Sequence, residues 1–112
     1  PWSEHLFVLM TNDKNLYTDL AMTYNRPTWV AWNLVLAKEY GVIDRVMYAS
    51  DYVCYDYDLF SENPAQDFMK WMRFVREEIN EICSRCGWPT LTEEEIDGIL
   101  GNNAMRLYGI TE

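Results

Sequence analysis

The stretch from Asp44 to Tyr52 constrains the fold of this chain more than any other part of its sequence. The run Val46–Ala49 has the composition of a short buried strand, and it leads directly into Ser50 and Asp51. In open α/β sheets and in α/β barrels, the reactive groups lie beyond the carboxyl ends of parallel strands. We therefore predict a strand over about residues 44–49, with Asp51 presented at its end.

The residues before this strand predict a complete βαβ unit. Residues 15–22 have the pattern of a first strand, and a helix follows that begins near Pro27 and ends before Gly41. A strand, a helix and a strand within about 35 residues form a unit whose strands are parallel and whose crossover is right-handed. The fold class is therefore predicted to be α/β.

Further helices are predicted on both sides of this unit. Apolar residues recur at helical spacing over residues 2–10 and 66–83, and Thr92-Glu93-Glu94-Glu95 is a capping box that opens a helix reaching Gly101. A last short helix covers residues 102–109. Because a sheet of two parallel strands is not stable alone, the chain is expected to be a piece of a larger sheet.

Composition excludes several classes of partner. The chain of 112 residues is 49% hydrophobic and 15% aromatic, which predicts one globular domain. Its net charge of -9 disfavours binding to nucleic acid or to an anionic membrane surface. No run of residues has the length of a membrane span, and the first residues lack the pattern of a signal peptide. We expect no nucleic-acid or membrane partner.

The three cysteines are odd in number, which argues against a secreted disulfide scaffold and favours a cytoplasmic protein. Cys83 and Cys86 have the C-x-x-C spacing of redox and zinc sites, but no second pair follows. We interpret them as ordinary reduced thiols. A zinc site built from these two residues with His5 and Cys54 is the alternative, since the ligand types are suitable.

Three segments resemble one family. NLYTDL (residues 15–20), YGVIDRVMYASDY (residues 40–52) and ILGNNAMRLYGI (residues 99–110) are similar, in order and spacing, to the C-terminal part of the amidohydrolase-related (amidohydrolase 2) family. Its members are metal-dependent hydrolases and decarboxylases with a TIM-barrel fold, so the resemblance implies a small-molecule substrate.

The resemblance implies that the chain supplies the last two βα units and the C-terminal helices of a (β/α)₈ barrel, over residues 1–112. Asp51 matches the aspartate at the end of the eighth strand, and it is expected to bind a divalent metal, in many members zinc, or to act as general base. The family's histidine ligands lie on earlier strands and match no residue here. The isolated chain is therefore expected to be inactive.

Substrate-binding or structural roles are predicted for several other residues. Asp19, Tyr52 and Tyr55 are candidate substrate-binding residues, with a purely structural carboxylate as the alternative for Asp19. Asn103 is interpreted as a structural residue that ties the last helix to the barrel rim. Ala49 stands where the family pattern has Gly, and Val53 stands where it has Pro. The resemblance therefore does not imply a particular class of substrate.

Two rival interpretations remain open for the whole chain. In one, it is a non-catalytic α/β interaction module that shares the motif only by ancestry or chance. In the other, it completes its sheet by self-association into a homo-oligomer through exposed strand edges.

Overall fold

A computed structural model describes residues 2–21, 23, 26–50 and 64–111, without the side chains of residues 64–68. This part of the chain is mostly helical and contains a two-stranded parallel sheet. The regular elements are, in order, α1 (Ser3–Asn12), β1 (Thr18–Asp19), α2 (Pro27–Glu39), β2 (Val46–Met47), α3 (Pro64–Arg73), α4 (Ile79–Cys86), α5 (Glu93–Asp97) and α6 (Asn103–Tyr108).

Three less regular segments complete the path of the chain. A 3₁₀ turn, Ile43–Arg45, leads into β2. The π-helical segments Phe74–Glu78 and Gly98–Asn102 join α3 to α4 and α5 to α6. The helix predicted over residues 66–83 thus follows a longer helical path from Pro64 to Cys86. It ends at Gly87, whose φ of 67° is left-handed and favours glycine.

The predicted βαβ unit is confirmed. β1 and β2 pair in parallel, with Thr18 opposite Val46 and Asp19 opposite Met47, and α2 lies between them in sequence. Pro27 occupies the first helical turn of α2, where the missing backbone N–H costs nothing. The parallel register places the carboxyl ends of both strands at the same edge of the sheet.

Both strands are shorter than the sequence predicts. The expected strand over residues 15–22 is reduced to Thr18–Asp19, because the Leu16 N–H turns back to the Asp13 carbonyl and the Ala21 N–H is bound by the Asp19 carboxylate. The expected strand over residues 44–49 is reduced to Val46–Met47, because its first two residues belong to the 3₁₀ turn. A ladder forms only where both neighbours are extended.

The capping box predicted at Thr92 is present. The Thr92 hydroxyl accepts from the Glu95 N–H at 3.2 Å, and the Glu95 carboxylate accepts from the Thr92 N–H at 2.8 Å. This carboxylate also pairs with the Lys38 ammonium at 2.8 Å, and Lys38 donates to the Thr90 carbonyl at the same distance. The start of α5 is therefore fixed against the last turn of α2.

The hydrophobic core lies between the sheet, α2 and the C-terminal helices. α2 contributes the inner side chains of Val30, Ala31 and Leu34, and the rest of the chain contributes further fully buried residues. These include Met10, Val42, Val46, Val75, Ile79, Ile96 and Ile99. In the described residues no helix has the length and apolar character needed to cross a bilayer.

Asn103 has a structural role at β2. Its side chain is 2% exposed, and its Nδ2 donates to the Ile43 carbonyl at 3.1 Å and to the Val46 carbonyl at 2.8 Å. Its Oδ1 accepts from Arg106 at 2.9 Å, so both ends of the amide are bound. The predicted attachment of the last helix is thus made to β2 and to the turn before it.

Candidate functional site

The carboxyl edge of the β1–β2 pair is the candidate site. Asp19 ends β1 beside Met47, and its side chain is exposed. Its Oδ1 accepts from the Ala21 N–H at 2.9 Å, so the carboxylate closes the turn that follows the strand. The described contacts of Asp19 therefore support the structural interpretation.

Asp51, Tyr52 and Tyr55 lie outside the described residues, as does Cys54. The described part of the chain reaches Ser50, which is three residues beyond Met47 in β2. The structure shows the strand that precedes Asp51, and the sequence places Asp51 directly after the last described residue of this segment, Ser50. The position of Asp51 beyond the carboxyl end of β2 stays a prediction.

Tyr48 continues the path of β2 toward this edge. Its ring is half-buried and packs against the hydrophobic core rather than standing in solvent. Burial raises the pKa of its phenol above the ordinary value of 10.0. Tyr48 thus stays protonated at neutral pH, and its ring packs beneath the site.

The thiols and the histidine of the alternative zinc site do not form a metal centre in the described residues. Cys83 is fully buried and Cys86 is exposed, and neither forms a disulfide. Burial, with a smaller contribution from Cys86, raises the pKa of the Cys83 thiol, which disfavours the thiolate that metals require. His5 is exposed and its ring contacts Trp2 edge-on.

The described ranges contain no other candidate metal site either. Among residues 2–21, 23, 26–50 and 64–111, no three His, Cys, Asp or Glu side chains converge on one point. The described residues therefore do not by themselves fit a metal ion, and Asp51 would have to act with ligands from elsewhere.

A small cavity of about 50 Å³ lies between α1, β1 and α2, lined mainly by apolar side chains such as Leu6, Phe7 and Leu34. Asn33 also lines it and is only 5% exposed. Its Nδ2 donates to the Trp29 carbonyl at 2.8 Å, whereas its buried Oδ1 accepts no hydrogen bond within the described part of the chain. In the sequence, Asn33 can be recognised as the single polar residue on the apolar face of α2.

Replacing Asn33 with leucine is expected to raise the free energy of unfolding by about 1 kcal/mol. The substitution removes a buried acceptor that has no partner among the described residues and puts a side chain of similar volume beside the cavity. Urea denaturation followed by circular dichroism measures this change. A loss of stability instead would mean that Asn33 has a bound partner in the cavity.

Comparison with known proteins identifies the family. No curated protein and no solved structure gives a significant match to the chain. The family model described as Amidohydrolase, in contrast, matches residues 1–110. This range includes both strands of the parallel pair, the segment that carries Asp51 and the C-terminal helices. The chain therefore belongs to the amidohydrolase family.

Proposed function

We propose that this chain forms the last two βα units of a (β/α)₈ barrel in a metal-dependent hydrolase or decarboxylase. Membership of the amidohydrolase family supports a hydrolase or decarboxylase type of activity. The observation that carries the proposal is the parallel β1–β2 pair, because it puts the residues after β2 at the edge where α/β enzymes bind substrates.

In this proposal Asp51 is the residue of the chain that acts at the metal. Amidohydrolases generally use a divalent metal, and we propose that zinc would supply Lewis-acid chemistry at this site. Asp51 would serve as one ligand or as the base that orients and deprotonates a water molecule. Histidine ligands would come from earlier strands of the barrel, because His5 is exposed and remote from any cluster of ligands in the described residues.

The substrate is proposed to be a small molecule that enters over the same edge. The exposed residue Asp19 and the residues Tyr52 and Tyr55 are the ones that we propose to contact it. A cytoplasmic location fits the free thiols at Cys83 and Cys86.

Metal removal from the complete protein that contains this chain tests the proposal. We expect about one divalent metal per barrel by elemental analysis, and loss of turnover on dialysis against a chelator with recovery on adding zinc. The assay uses a panel of amides, esters and unsaturated carboxylic acids, so that both hydrolysis and decarboxylation are detected. A metal-free protein that stays inactive on the whole panel would favour the non-catalytic interaction module.

The isolated chain provides the second arm of this test. A single carboxylate cannot replace a set of three or more ligands, so zinc binding to the 112-residue chain is expected to be weak in a competition titration. Tight binding of one zinc ion together with turnover by the chain alone would contradict the partial-barrel account.

A further inference from the structure

The small cavity between α1, β1 and α2 lies beside the candidate site. Its walls come from the first turns of both helices and from the carboxyl end of β1, through Leu6, Trp29 and Asp19 among others. Asp19 and Trp29 are both exposed, so the cavity reaches the surface at these residues. A molecule bound at the carboxyl end of β1 can therefore extend a group into the cavity.

The wall of this cavity includes a buried hydrogen-bond acceptor that has no donor in the described part of the chain. Asn33 is 5% exposed, and its Nδ2 donates to the Trp29 carbonyl at 2.8 Å. This bond leaves Oδ1 as the end of the amide that still lacks a partner. Buried polar groups in native proteins are nearly always hydrogen-bonded, and an exception has a cost in stability. The exception at Asn33 points to a donor that arrives with a ligand.

The size and the walls of the cavity define the group that fits. A water molecule occupies about 10–15 Å³ on the scale used for such cavities, so a cavity of about 50 Å³ has room for about three to five non-hydrogen atoms. Leu6, Phe7 and Leu34 make most of the wall apolar. Water suits it less well, because a buried water usually has about three polar partners. A short apolar group with one donor matches both the walls and the oxygen.

We propose that this cavity is a substrate subsite, which binds a short apolar arm of the substrate whose N–H or O–H group donates to Asn33 Oδ1. The assignment to the substrate rests on the proposed function, in which Asp19 contacts the substrate. The preference for a donor does not depend on catalysis. Because α1, β1 and α2 are consecutive, they remain neighbours in the proposed barrel, and the subsite leaves the strand edges free to pair.

The subsite also explains why a polar residue is kept on the apolar face of α2. Leucine at position 33 is expected to stabilise the unliganded protein, and it would remove the only interaction that selects a donor. Binding sites commonly retain groups that lower stability when the ligand is absent. Asn33 is therefore assigned as a residue that determines specificity rather than as a packing residue.

A matched pair of probes tests the donor preference in the complete protein that contains this chain. 2-Propanol and acetone have the same number of non-hydrogen atoms, but only 2-propanol has a donor. With ¹³C-labelled leucine methyl groups, the NMR signals of Leu6 and Leu34 report binding in the cavity, and that of Leu107, exposed on α6, reports non-specific effects. We expect 2-propanol to bind at least about fivefold more tightly than acetone, with no saturable shift at Leu107.

Two variants assign the preference to one oxygen. In Asn33→Leu, the affinities for the two probes should agree within about twofold, because the acceptor is gone. Asn12→Leu is the matched control and should keep the full preference. Asn12 lies at the end of α1 and its Nδ2 donates to the Val8 carbonyl at 2.9 Å, four residues back, as Asn33 does to Trp29.

Turnover measurements test the assignment to the substrate. In assays with an active member of the substrate panel, 2-propanol should raise KM and leave kcat unchanged, whereas acetone should need at least about fivefold higher concentrations. Selective methyl shifts without this competition would overturn the substrate assignment.

Other outcomes separate this inference from the proposed function. Equal affinities for both probes, or no shift at Leu6 and Leu34, overturn the donor subsite even in a protein that turns over its substrate. Selective shifts in a protein without any turnover contradict the proposed function, and with it the substrate assignment, but not the donor preference. The comparison of probes needs no variant, so it decides the matter even if Asn33→Leu fails to fold.

Discussion

Replacing Asp51 with asparagine is expected to lower kcat/KM of the complete enzyme by at least about 100-fold, because the amide neither deprotonates water nor neutralises a cation. The side chains are nearly equal in size, so the fold should persist. The loss should appear mainly in kcat if Asp51 is the base, and as a lower metal content as well if it is a ligand. Steady-state kinetics with elemental analysis of the same sample separates these roles.

Asp13→Asn is the matched control for this substitution. Asp13 is exposed, follows α1, and uses its Oδ1 to accept from the Asn15 N–H at 2.8 Å. An asparagine Oδ1 can accept the same bond, so kcat/KM should stay within about twofold of the unmodified enzyme. Full activity of Asp51→Asn would refute the role proposed for the carboxylate after β2.

Replacing Asn103 with leucine is expected to lower the free energy of unfolding by about 3 kcal/mol. The Ile43 and Val46 carbonyls would lose a buried donor, and Arg106 would lose an acceptor. Leucine has nearly the same volume, so the cost comes from unsatisfied polar groups rather than from a cavity. Urea denaturation of the complete protein that contains this chain, followed by circular dichroism, measures the change in midpoint.

Asn33→Leu provides the matched comparison, since it makes the same chemical change at another buried asparagine. The two substitutions should shift stability in opposite directions, because Asn103 has bonds at both ends of its amide whereas Asn33 has a buried oxygen without a described partner. Equal losses of stability in both variants would show that burial alone, and not the hydrogen bonds at β2, decides the cost.

Local patterns predicted much of this fold. Pro27 and Gly41 delimit α2, Thr92 opens α5 through its capping box, and the apolar spacing before Cys83 marks a long helix. These signals act within one or two helical turns, so the sequence shows them directly. The prediction of a parallel βαβ unit followed because two such strands joined by a helix have few other arrangements.

What the sequence did not predict depends on contacts between distant residues. The strands end where the partner strand stops being extended, and neither strand carries that information alone. The π-helical segment at Gly98 exists together with the Tyr48–Ile99 bond, a pairing that no local pattern encodes. At the candidate site, the position after β2 predicted Asp51, whereas the polar character of Asn33 on the apolar face of α2 did not reveal that its oxygen has no hydrogen-bond donor among the described residues.

The bonds from Asn103 also set the order in which the chain can mature during translation. They join residues that are 57 and 60 positions apart in sequence. At roughly 5–20 residues per second, β2 leaves the site of synthesis about 3–11 s before Asn103 exists. During that interval β1 can already pair with β2, but the Ile43 and Val46 carbonyls still lack the amide donor that Asn103 supplies. In a nascent chain that ends before Asn103, the turn that leads into β2 would therefore be held less firmly.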